Sequence, residues 1–495
     1  MSNPAQRLSF REKAGYALGD AATNFFFQAM ILYQGRFYTD VMGLSSSAVA
    51  WLFLIVRGWD AIFDPLVGTL ADRTNSRWGK FRPWILWTAV PYGLVLWSAY
   101  TVPGFAGSTK VIYAYVTYVL LMMFYSANNT PYSALNGVMT GDVNERTSLA
   151  QYRFVAAMSA QLVVQGFTLP LVDKFGGGNV AKGWSITFAI FGGLVILFSL
   201  IAFLSSRERV RPDPAQKVSL RQDVAGVFKC RPWVAMFLLT IFVFTTLALR
   251  GTSMYYYFTY FVDKAALLDF VRSFGLGTIV AGHGAWWKTV LGWFGFILTP
   301  DGSNASSVGF SLFNIAGTIV TIIGVLTSKW LSERFGKKAV FGTGLALTTL
   351  ITMAIVLVPA TAVWPLFVLS LLWPAAYGPT IPLLWAMIAD VADYSEWQTG
   401  RRATGFVYAG IVFALKAGLG VDGALANGII GAYGYVANVA QSEQSLRGIQ
   451  LSATVYAGIP FALGVLCMFF YPITKELNLR IGNELAERRK KFATE

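Results

Sequence analysis

Residues 57–84 read RGWDAIFDPLVGTLADRTNSRWGKFRPW, and the first half of this stretch is apolar enough for lipid apart from two aspartates. Asp60 and Asp64 lie four residues apart, so a helix would project both from one face. Two carboxylates that close in a medium of low dielectric cannot both stay ionised without a compensating charge. The stretch therefore predicts a membrane helix whose acidic face lines a polar interior and holds a cation or a proton. A static ion-pair cluster with Arg57, one turn before Asp60, is the alternative.

The composition of the whole chain indicates a polytopic membrane protein. Of 495 residues, 55% are hydrophobic and 13% are charged, whereas a soluble chain holds about 25% charged residues. The apolar residues come in long blocks, and about 20 helical residues cross a bilayer core of about 30 Å. We predict an all-α fold of twelve transmembrane helices in two six-helix halves. The predicted spans lie near residues 15–43, 51–68, 84–102, 111–135, 150–172, 184–204, 233–249, 310–326, 345–358, 365–385, 404–432 and 451–471.

The net charge of +14 is explained by topology and does not indicate a nucleic-acid partner. Most Lys and Arg residues fall in every second loop and at the two ends of the chain, which is the positive-inside pattern. We therefore expect an inner-membrane protein with both termini in the cytoplasm. Cys230 and Cys467 lie far apart and form no disulfide or metal motif, so we expect no metal and no cofactor.

The predicted spans divide the chain into two similar halves. The first half covers 1–204, a polar cytoplasmic linker covers 205–231, the second half covers 232–475, and a basic tail covers 476–495. An extra stretch at about 263–306 is too interrupted to span, and we expect it to form amphipathic helices on the outer membrane surface. Two related halves suit a transporter that rocks about a central site.

An internal repeat supports this division. GTLADRTNSRWGKFRPW follows span two and SKWLSERFGKKAVFG follows span eight, and each places an acid–Arg pair shortly before Gly-Lys. We expect these loops to form a cytoplasmic gate of charge pairs that break and remake, although basic turns are also what topology alone requires. The candidate gate residues are Asp72, Arg73, Lys80, Glu333, Arg334 and Lys337.

Ionisable residues inside the spans mark a candidate transport path, since a charge facing lipid is costly. Arg153 in span five and Lys416 in span eleven come from different halves, so both can reach the midplane. The sequence leaves the roles of Arg250 and Asp422 open. Asp20, Arg36 and Asp40 lie nearer the ends of span one, where Arg36 is expected to snorkel.

Polar and aromatic residues in the spans suit a sugar-like ligand. Span four contains SANNTPYSAL at 126–135, and its amides and hydroxyls can bond sugar hydroxyls, as can Asn24. Tyr152 and Trp385 could stack on a sugar ring, although ordinary packing explains such aromatic residues equally.

Five motifs together resemble the glycoside–pentoside–hexuronide:cation symporter family, a melibiose-carrier-like branch of the major facilitator superfamily. They are GYALGDAATN, FYTDVMGL, RGWDAIFDP, SRWGKFRPW and IADVADYSEWQTGRRATG. The resemblance covers nearly the whole chain apart from 263–306. It implies import of a sugar or glycoside together with H⁺, Na⁺ or Li⁺ through alternating access.

The resemblance also implies roles for particular residues. Asp60 and Asp64 match the family's paired aspartates at the cation site. Ser126 matches a hydroxyl residue that helps to hold the cation, and Lys416 matches a lysine beside that site. Arg153 matches an arginine near the sugar. The remaining sugar-binding candidates are Asn24, Asn129, Ser133, Tyr152 and Trp385.

This sequence departs from the family's pattern at four positions. Asn24 and Asn129 stand where melibiose-type members have aspartates, and Ser133 stands where they have a tryptophan. These changes argue against a melibiose-like galactoside and are compatible with an anionic sugar, for which Arg153 would be a partner. Phe63 replaces a polar amide of sodium-using members, and since a phenyl ring supplies no oxygen ligand, we favour H⁺ over Na⁺.

We conclude from the sequence that the chain is a secondary transporter and not an enzyme. Its expected partners are a small sugar or glycoside, the coupling cation and the lipid bilayer, and we expect it to be a monomer. A lysolipid carrier of the same superfamily is one alternative. A membrane-embedded transferase is another, but no acid–base cluster at an interface supports it.

Overall fold

The computed structural model describes residues 8–105, 107–140, 143–209, 230–277, 286–399 and 404–494. In these ranges the regular structure is helical, apart from one isolated bridge between Ser76 and Gly79. Most of the predicted linker lies outside the described residues, as does His283, the one histidine of the chain. The all-α fold is confirmed.

In chain order the described helices of the first part are α1 (Phe10–Arg36), α2 (Ser46–Arg73), α3 (Arg82–Ala99), α4 (Ser108–Met139), α5 (Val143–Gly176), α6 (Val180–Ser205), α7 (Arg231–Tyr256), α8 (Lys264–Ser273) and α9 (Trp286–Trp293). The later helices are α10 (Ala305–Phe335), α11 (Lys337–Ala354), α12 (Val363–Tyr377), α13 (Thr380–Thr399), α14 (Thr404–Ala432), α15 (Glu443–Leu451), α16 (Ala457–Phe469) and α17 (Lys475–Thr494). Three π-helical turns extend α1, α7 and α15, at Phe37–Val41, Tyr257–Phe261 and Ser452–Tyr456.

Ten helical segments among the described residues are long and apolar enough to cross a membrane. They are α2, α4, α5, α6, α7, α10, α11, α12 with α13, α14, and α15 with α16. Helices α1 and α3 lie at the other two predicted spans and are not among these ten segments, so the count of twelve stays a prediction. The tenth span bends between α12 and α13, where Pro374 lies inside the helix and Gly378 packs against Gly324. A Cβ on Gly378 would lie 2.9 Å from the carbonyl oxygens of Pro374 and Thr321, so a larger residue does not fit at the bend.

The chain forms two compact units. Unit 1 comprises Met1–Ala215, Phe258–Ile315 and Gly434–Gln441, and unit 2 comprises Gln216–Tyr257, Ala316–Tyr433 and Ser442–Glu495. In unit 1, α1 packs against α5 and α6, and α3 packs against α4 and α6. In unit 2, α7 packs against α14 and α16. The predicted division at 204 and 232 stays a prediction.

The extra stretch after span seven forms two short helices, α8 and α9, within unit 1. It is anchored on the end of α5, where Phe167 contacts Phe294 and Phe296 at ring-centroid distances of 4.9 and 5.3 Å. The Nζ atom of Lys174 donates hydrogen bonds to the carbonyl oxygens of Gly292 and Trp293. The described part of the stretch is helical, as predicted, and its placement on the outer membrane surface stays a prediction.

The loop between α2 and α3 is held by one carboxylate from the segment after α6. Glu208 accepts hydrogen bonds from the backbone N–H groups of Lys80, Phe81 and Arg82 at 2.9, 2.8 and 3.1 Å. An anion is stabilised there because the first N–H groups of a helix lack partners within the helix. Gly79 precedes these groups with φ +107, and a Cβ there would clash with the Glu208 carboxyl.

We expect Glu208→Ala to destabilise the protein by about 1–3 kcal/mol, because three backbone donors lose their acceptor. Thermal unfolding of purified protein in detergent measures this change. Glu476→Ala, which removes an exposed carboxylate, serves as the control and should leave the midpoint unchanged. Equal midpoints for the two variants would contradict the anchoring role of Glu208.

Candidate functional site

The first part of the candidate site lies between α2 and α4 of unit 1. Asp60 is buried, with 3% of its surface exposed, and its Oδ1 accepts a hydrogen bond of 2.8 Å from Ser126 Oγ. Ser126 is itself 1% exposed. The structure thus brings together two residues that the sequence assigned to a cation site. A hydroxyl donating to a buried carboxylate makes a small polar site inside a membrane-spanning bundle.

Asp64 lies one turn further along α2 and is partly buried. Phe63, between the two aspartates, stacks on Trp59 with ring centroids 6.1 Å apart and an interplanar angle of 19°. The phenyl ring therefore belongs to an aromatic pair. The side chain of Arg57 lies outside the described residues, so the static ion-pair alternative stays open.

The second part of the site is an ion pair between α1 and α5. Arg153 donates through Nε to Asp20 Oδ2 and through Nη2 to Asp20 Oδ1, the latter at 3.1 Å. Tyr132 of α4 donates to Asp20 Oδ2 at 3.2 Å. The guanidinium carbon lies 5.7 and 5.0 Å from the ring centroids of Tyr16 and Tyr132. Arg153 is therefore neutralised by Asp20 and lies against the stacked pair of Tyr16 and Tyr132, whose ring centroids are 4.6 Å apart.

Asp20 was missed as a site residue because its place in the sequence suggested the end of span one. The helix begins at Phe10 and continues to Arg36, so Asp20 lies well inside α1. The sequence could have indicated the pair, because Asp20 in span one and Arg153 in span five are opposite charges within apolar segments.

The predicted sugar-binding residues of unit 1 make mainly local contacts. Asn24 Nδ2 donates to the carbonyl of Asp20 on the preceding turn, at 2.9 Å. Asn129 Nδ2 donates to Tyr125 Oη at 3.4 Å, also on its own helix. Ser133 is exposed, and the ring of Tyr152 meets that of Phe10 edge-on at 5.9 Å.

Trp385 and Lys416 belong to unit 2. Trp385 on α13 is 40% exposed, and Lys416 on α14 is partly buried. Their predicted roles at a sugar or cation site stay predictions. The side chain of Asp422, further along α14, lies outside the described residues.

A row of glutamines continues the polar contact between α1 and α5 beyond the ion pair. Gln28 Nε2 donates to Gln161 Oε1 at 3.3 Å, and Gln165 Nε2 donates to Gln28 Oε1 at 3.0 Å. None of these glutamines was predicted as a site residue. The sequence could have indicated this contact, because Gln161 and Gln165 lie four residues apart in an apolar span and therefore share one helix face.

Asp40 is the centre of a third polar cluster, at the end of α1. Its Oδ1 accepts a hydrogen bond from Tyr435 at 2.6 Å, and its Oδ2 accepts one from Tyr260 at 2.9 Å. Asn438 Nδ2 donates to the Asp40 carbonyl at 2.6 Å, and Arg36 Nε lies 3.5 Å from Oδ2. We call these five residues the Asp40 cluster. Within unit 1 it joins the end of span one at Arg36 and Asp40, Tyr260 of the π-helical turn after α7, and the loop 434–441.

The candidate gate residues of the second repeat loop make direct contacts within unit 2. Lys337 Nζ lies 2.7 Å from both carboxylate oxygens of Asp390 on α13, and Asn478 donates to the same carboxylate at 3.1 Å. Glu333 is exposed, with Lys329 Nζ at 3.9 Å, and its carbonyl accepts a hydrogen bond from Lys475. Arg334 is exposed, and its guanidinium lies 5.9 Å from the ring centroid of Trp330. The sequence had not assigned Asp390 to this loop.

The first repeat loop is held through its backbone. Arg73 and Lys80 have exposed side chains, and the Asp72 side chain lies outside the described residues. The loop's backbone N–H groups bond Glu208, and its Trp78 ring meets the Phe203 ring edge-on at 5.9 Å. A gate built from the side chains of this loop therefore stays a prediction.

The sequence pattern of the MFS/sugar transport protein family matches residues 15–292 and 304–475, which is most of the chain. The chain belongs to this family. The transporter is therefore a multi-pass membrane protein and not an enzyme. The 293–303 gap in the match falls within the extra stretch that follows span seven.

Curated relatives resemble the transporter over almost its whole length. The inner membrane symporter YicJ of Escherichia coli is 33% identical, over 98% of this chain and 96% of the relative. An isoprimeverose transporter of Lactiplantibacillus pentosus is 30% identical over 94% of this chain and 89% of the relative. A glucuronide carrier protein homologue of E. coli is 30% identical over 98% of this chain and 97% of the relative. These likenesses support the glycoside–pentoside–hexuronide:cation symporter assignment made from the motifs.

Solved structures show the same fold. The crystal structure of a D-xylose–proton symporter matches with a TM-score of 0.60 at 13% sequence identity, covering 94% of this chain and 97% of that chain. This likeness confirms the major facilitator fold.

Neutralising one partner of the Asp20–Arg153 pair should destabilise the transporter strongly. Asp20→Asn and Arg153→Gln each leave a partly buried charge uncompensated, and we expect a loss of up to about 3–5 kcal/mol, the range for fully buried pairs. The double variant should lose less than the two single losses added together. Thermal unfolding midpoints of all three proteins in detergent measure this coupling.

The control is the exposed pair Asp269–Arg272 on α8, whose nitrogen and oxygen lie 3.6 Å apart. Its single variants Asp269→Asn and Arg272→Gln should shift the midpoint little, because surface pairs contribute about 0–1 kcal/mol. Additive losses at Asp20 and Arg153 would show that the pair is not coupled.

Proposed function

We propose that the transporter imports a sugar or glycoside by symport with a cation, and that the cation is H⁺. The observation that carries the proposal is the buried Asp60, which accepts a hydrogen bond from Ser126 one turn away from Asp64. Carboxylates inside a membrane-spanning segment are a common feature of proton and ion pathways. The family match and the isoprimeverose and glucuronide relatives support a sugar or glycoside as the solute.

The choice of proton rests on the ligands that the site offers. Sodium needs several oxygen ligands, whereas a proton needs one carboxylate oxygen. Phe63 stands between the two aspartates and stacks on Trp59, so this position supplies no oxygen. Protonation from outside would remove a charge from the site, and together with bound solute it would favour the occluded state. Coupling then follows from linkage, since both ligands favour the same state.

The Asp40 cluster supports a closing contact at the outer end of the path. By the predicted topology, the ends of α1 and α7 and the loop 434–441 lie on the extracytoplasmic side. The cluster joins the first predicted half to two segments of the second through a buried carboxylate. Solute entry from outside requires these hydrogen bonds to break. The same predicted topology places both termini in the cytoplasm, and we propose that the transporter acts as a monomer in the inner membrane.

We expect Asp64→Asn to keep solute exchange and to lose proton-driven accumulation, because an amide cannot release a proton. Proteoliposomes in sodium-free buffer with an imposed pH gradient measure accumulation, and counterflow measures exchange. Asp269→Asn, at an exposed position on α8, is the matched control and should accumulate solute normally. Uphill uptake by Asp64→Asn would count against the mechanism, and a strict sodium requirement in the unaltered protein would overturn the choice of proton.

Removing the two tyrosine donors to Asp40 should loosen the closed outer end. In the Tyr260→Phe/Tyr435→Phe variant, we expect faster amide hydrogen exchange in segments 37–41 and 434–441, measured by mass spectrometry. Tyr433→Phe, at the residue that precedes the loop 434–441 in the chain, removes a hydroxyl that bonds Tyr456 at 2.8 Å and serves as the control. Unchanged exchange in both segments of the double variant would show that the tyrosines do not hold this end closed.

A further inference from the structure

We propose that Arg250 of α7 recognises an anionic group on the transported solute, a carboxylate or a sulfonate, and so selects acidic sugars over neutral ones. The inference rests on the proposed sugar transport and adds the residue that recognises the charge of the solute. It also moves this role away from Arg153, to which the sequence analysis had given it.

The described intramembrane arginines differ in their acidic partners. Arg153 is paired with Asp20, and Arg36 lies 3.5 Å from Asp40. Arg250 has no acidic partner among the side chains that the structure describes, and its Nε is inaccessible and without a hydrogen-bond acceptor there. A guanidinium inside a spanning segment stays charged, so it needs an anion or a strongly polar surrounding.

An aromatic ring fixes the orientation of Arg250. Its guanidinium carbon lies 4.3 Å from the ring centroid of Trp373 on α12. Trp373 is held in turn by a hydrogen bond of 2.9 Å from its Nε1 to Thr352 Oγ1 on α11. A cation over a ring face is stabilised by the ring quadrupole. This contact occupies one face of the planar guanidinium, and Nε on its edge has no acceptor among the described residues.

The edge of a guanidinium matches the geometry of carboxylates and sulfonates. Two parallel N–H groups can donate to two oxygens of one anion, and such charge-assisted bonds are stronger than those between neutral groups. A neutral sugar offers hydroxyl oxygens but no charge, so it leaves the guanidinium uncompensated. The site therefore discriminates by charge, and Trp373 keeps the side chain in a fixed position for it.

Asp422 of α14 offers a competing explanation. Thr245 of α7 donates to the Gly418 carbonyl at 3.3 Å, and Tyr256 donates to Asn427 Oδ1 at 3.4 Å, so Asp422 lies on the stretch of α14 beside Arg250. The Asp422 side chain lies outside the described residues. A permanent Arg250–Asp422 ion pair would give Arg250 a structural role. The test therefore has to distinguish a structural role of Arg250 from recognition of an anionic solute.

The test measures competition in proteoliposomes and binding in detergent with three probes. They are methyl β-D-glucuronide, 6-deoxy-6-sulfoglucose and neutral methyl β-D-glucoside. In the unaltered protein we expect either anionic probe to bind at least tenfold more tightly than the neutral probe. Arg250→Gln should abolish that preference while leaving the affinity for the neutral probe within about twofold, and Arg250→Lys should retain part of it. Arg272→Gln, at an exposed arginine of α8, is the control and should keep the full preference.

Two results would overturn the inference. One is binding of the neutral and anionic probes with equal affinity by the unaltered protein. The other is an Arg250→Gln/Asp422→Asn variant that recovers the stability lost in Arg250→Gln and keeps the preference for anions. If Arg250→Gln does not fold, Arg250→Lys and the probe series on the unaltered protein still decide the matter. If no sugar of a wider panel binds or exchanges, the proposed function is wrong. If the protein binds neutral sugars without preferring anionic ones, only the proposed role of Arg250 is wrong.

Discussion

A carboxylate inside a membrane-spanning bundle has to be compensated by the groups around it, since water cannot reach it freely. This constraint explains much of the polar architecture of the transporter. Asp20 is compensated by Arg153, and Asp390 by Lys337. Asp60 accepts from the Ser126 hydroxyl and Asp40 from two tyrosines. Each acid thereby fixes the helices that supply its donors, so the positions of the acids also determine which helices stay in contact.

The Asp40 cluster shows how a repeated architecture can produce such a contact. Asp40 lies in the π-helical turn Phe37–Val41 that ends the first span, and Tyr260 lies in the turn Tyr257–Phe261 that ends the seventh. These turns, FYTDV and YFTYF, occupy the same place in the two predicted six-span halves and share a central threonine. π-Helical turns are rare in proteins, and those that occur are often found at functional sites. Equivalent turns, one carrying an acid and the other a phenol, thus provide a matched acceptor and donor.

The sequence predicted the spans because hydrophobic length is a strong signal in lipid. It predicted Asp60 with Ser126 through the motif and through the constraint on paired acids. It did not find the partner of Arg153, because pairing between α1 and α5 depends on how the helices pack and not on spacing along the chain. The same reason hid Asp390 as the partner of Lys337, and Glu208 as the acceptor for a loop more than a hundred residues earlier. Local patterns show which residues are costly to bury, but only packing shows which residues compensate them.

The pairing of Arg153 changes the expected chemistry of the first half. An unpaired arginine in the bundle would attract an anion. Arg153 bonded to Asp20 instead forms a neutral unit that contains hydrogen-bond donors, on the guanidinium, as well as an acceptor, the carboxylate. Such a unit suits hydroxyl groups, which donate and accept at once. Asn24, one turn from Asp20, adds an amide to the same helix. We propose that this unit binds hydroxyl groups of the solute and that the charge of the solute is recognised elsewhere in the chain, so the two properties can change independently between related transporters.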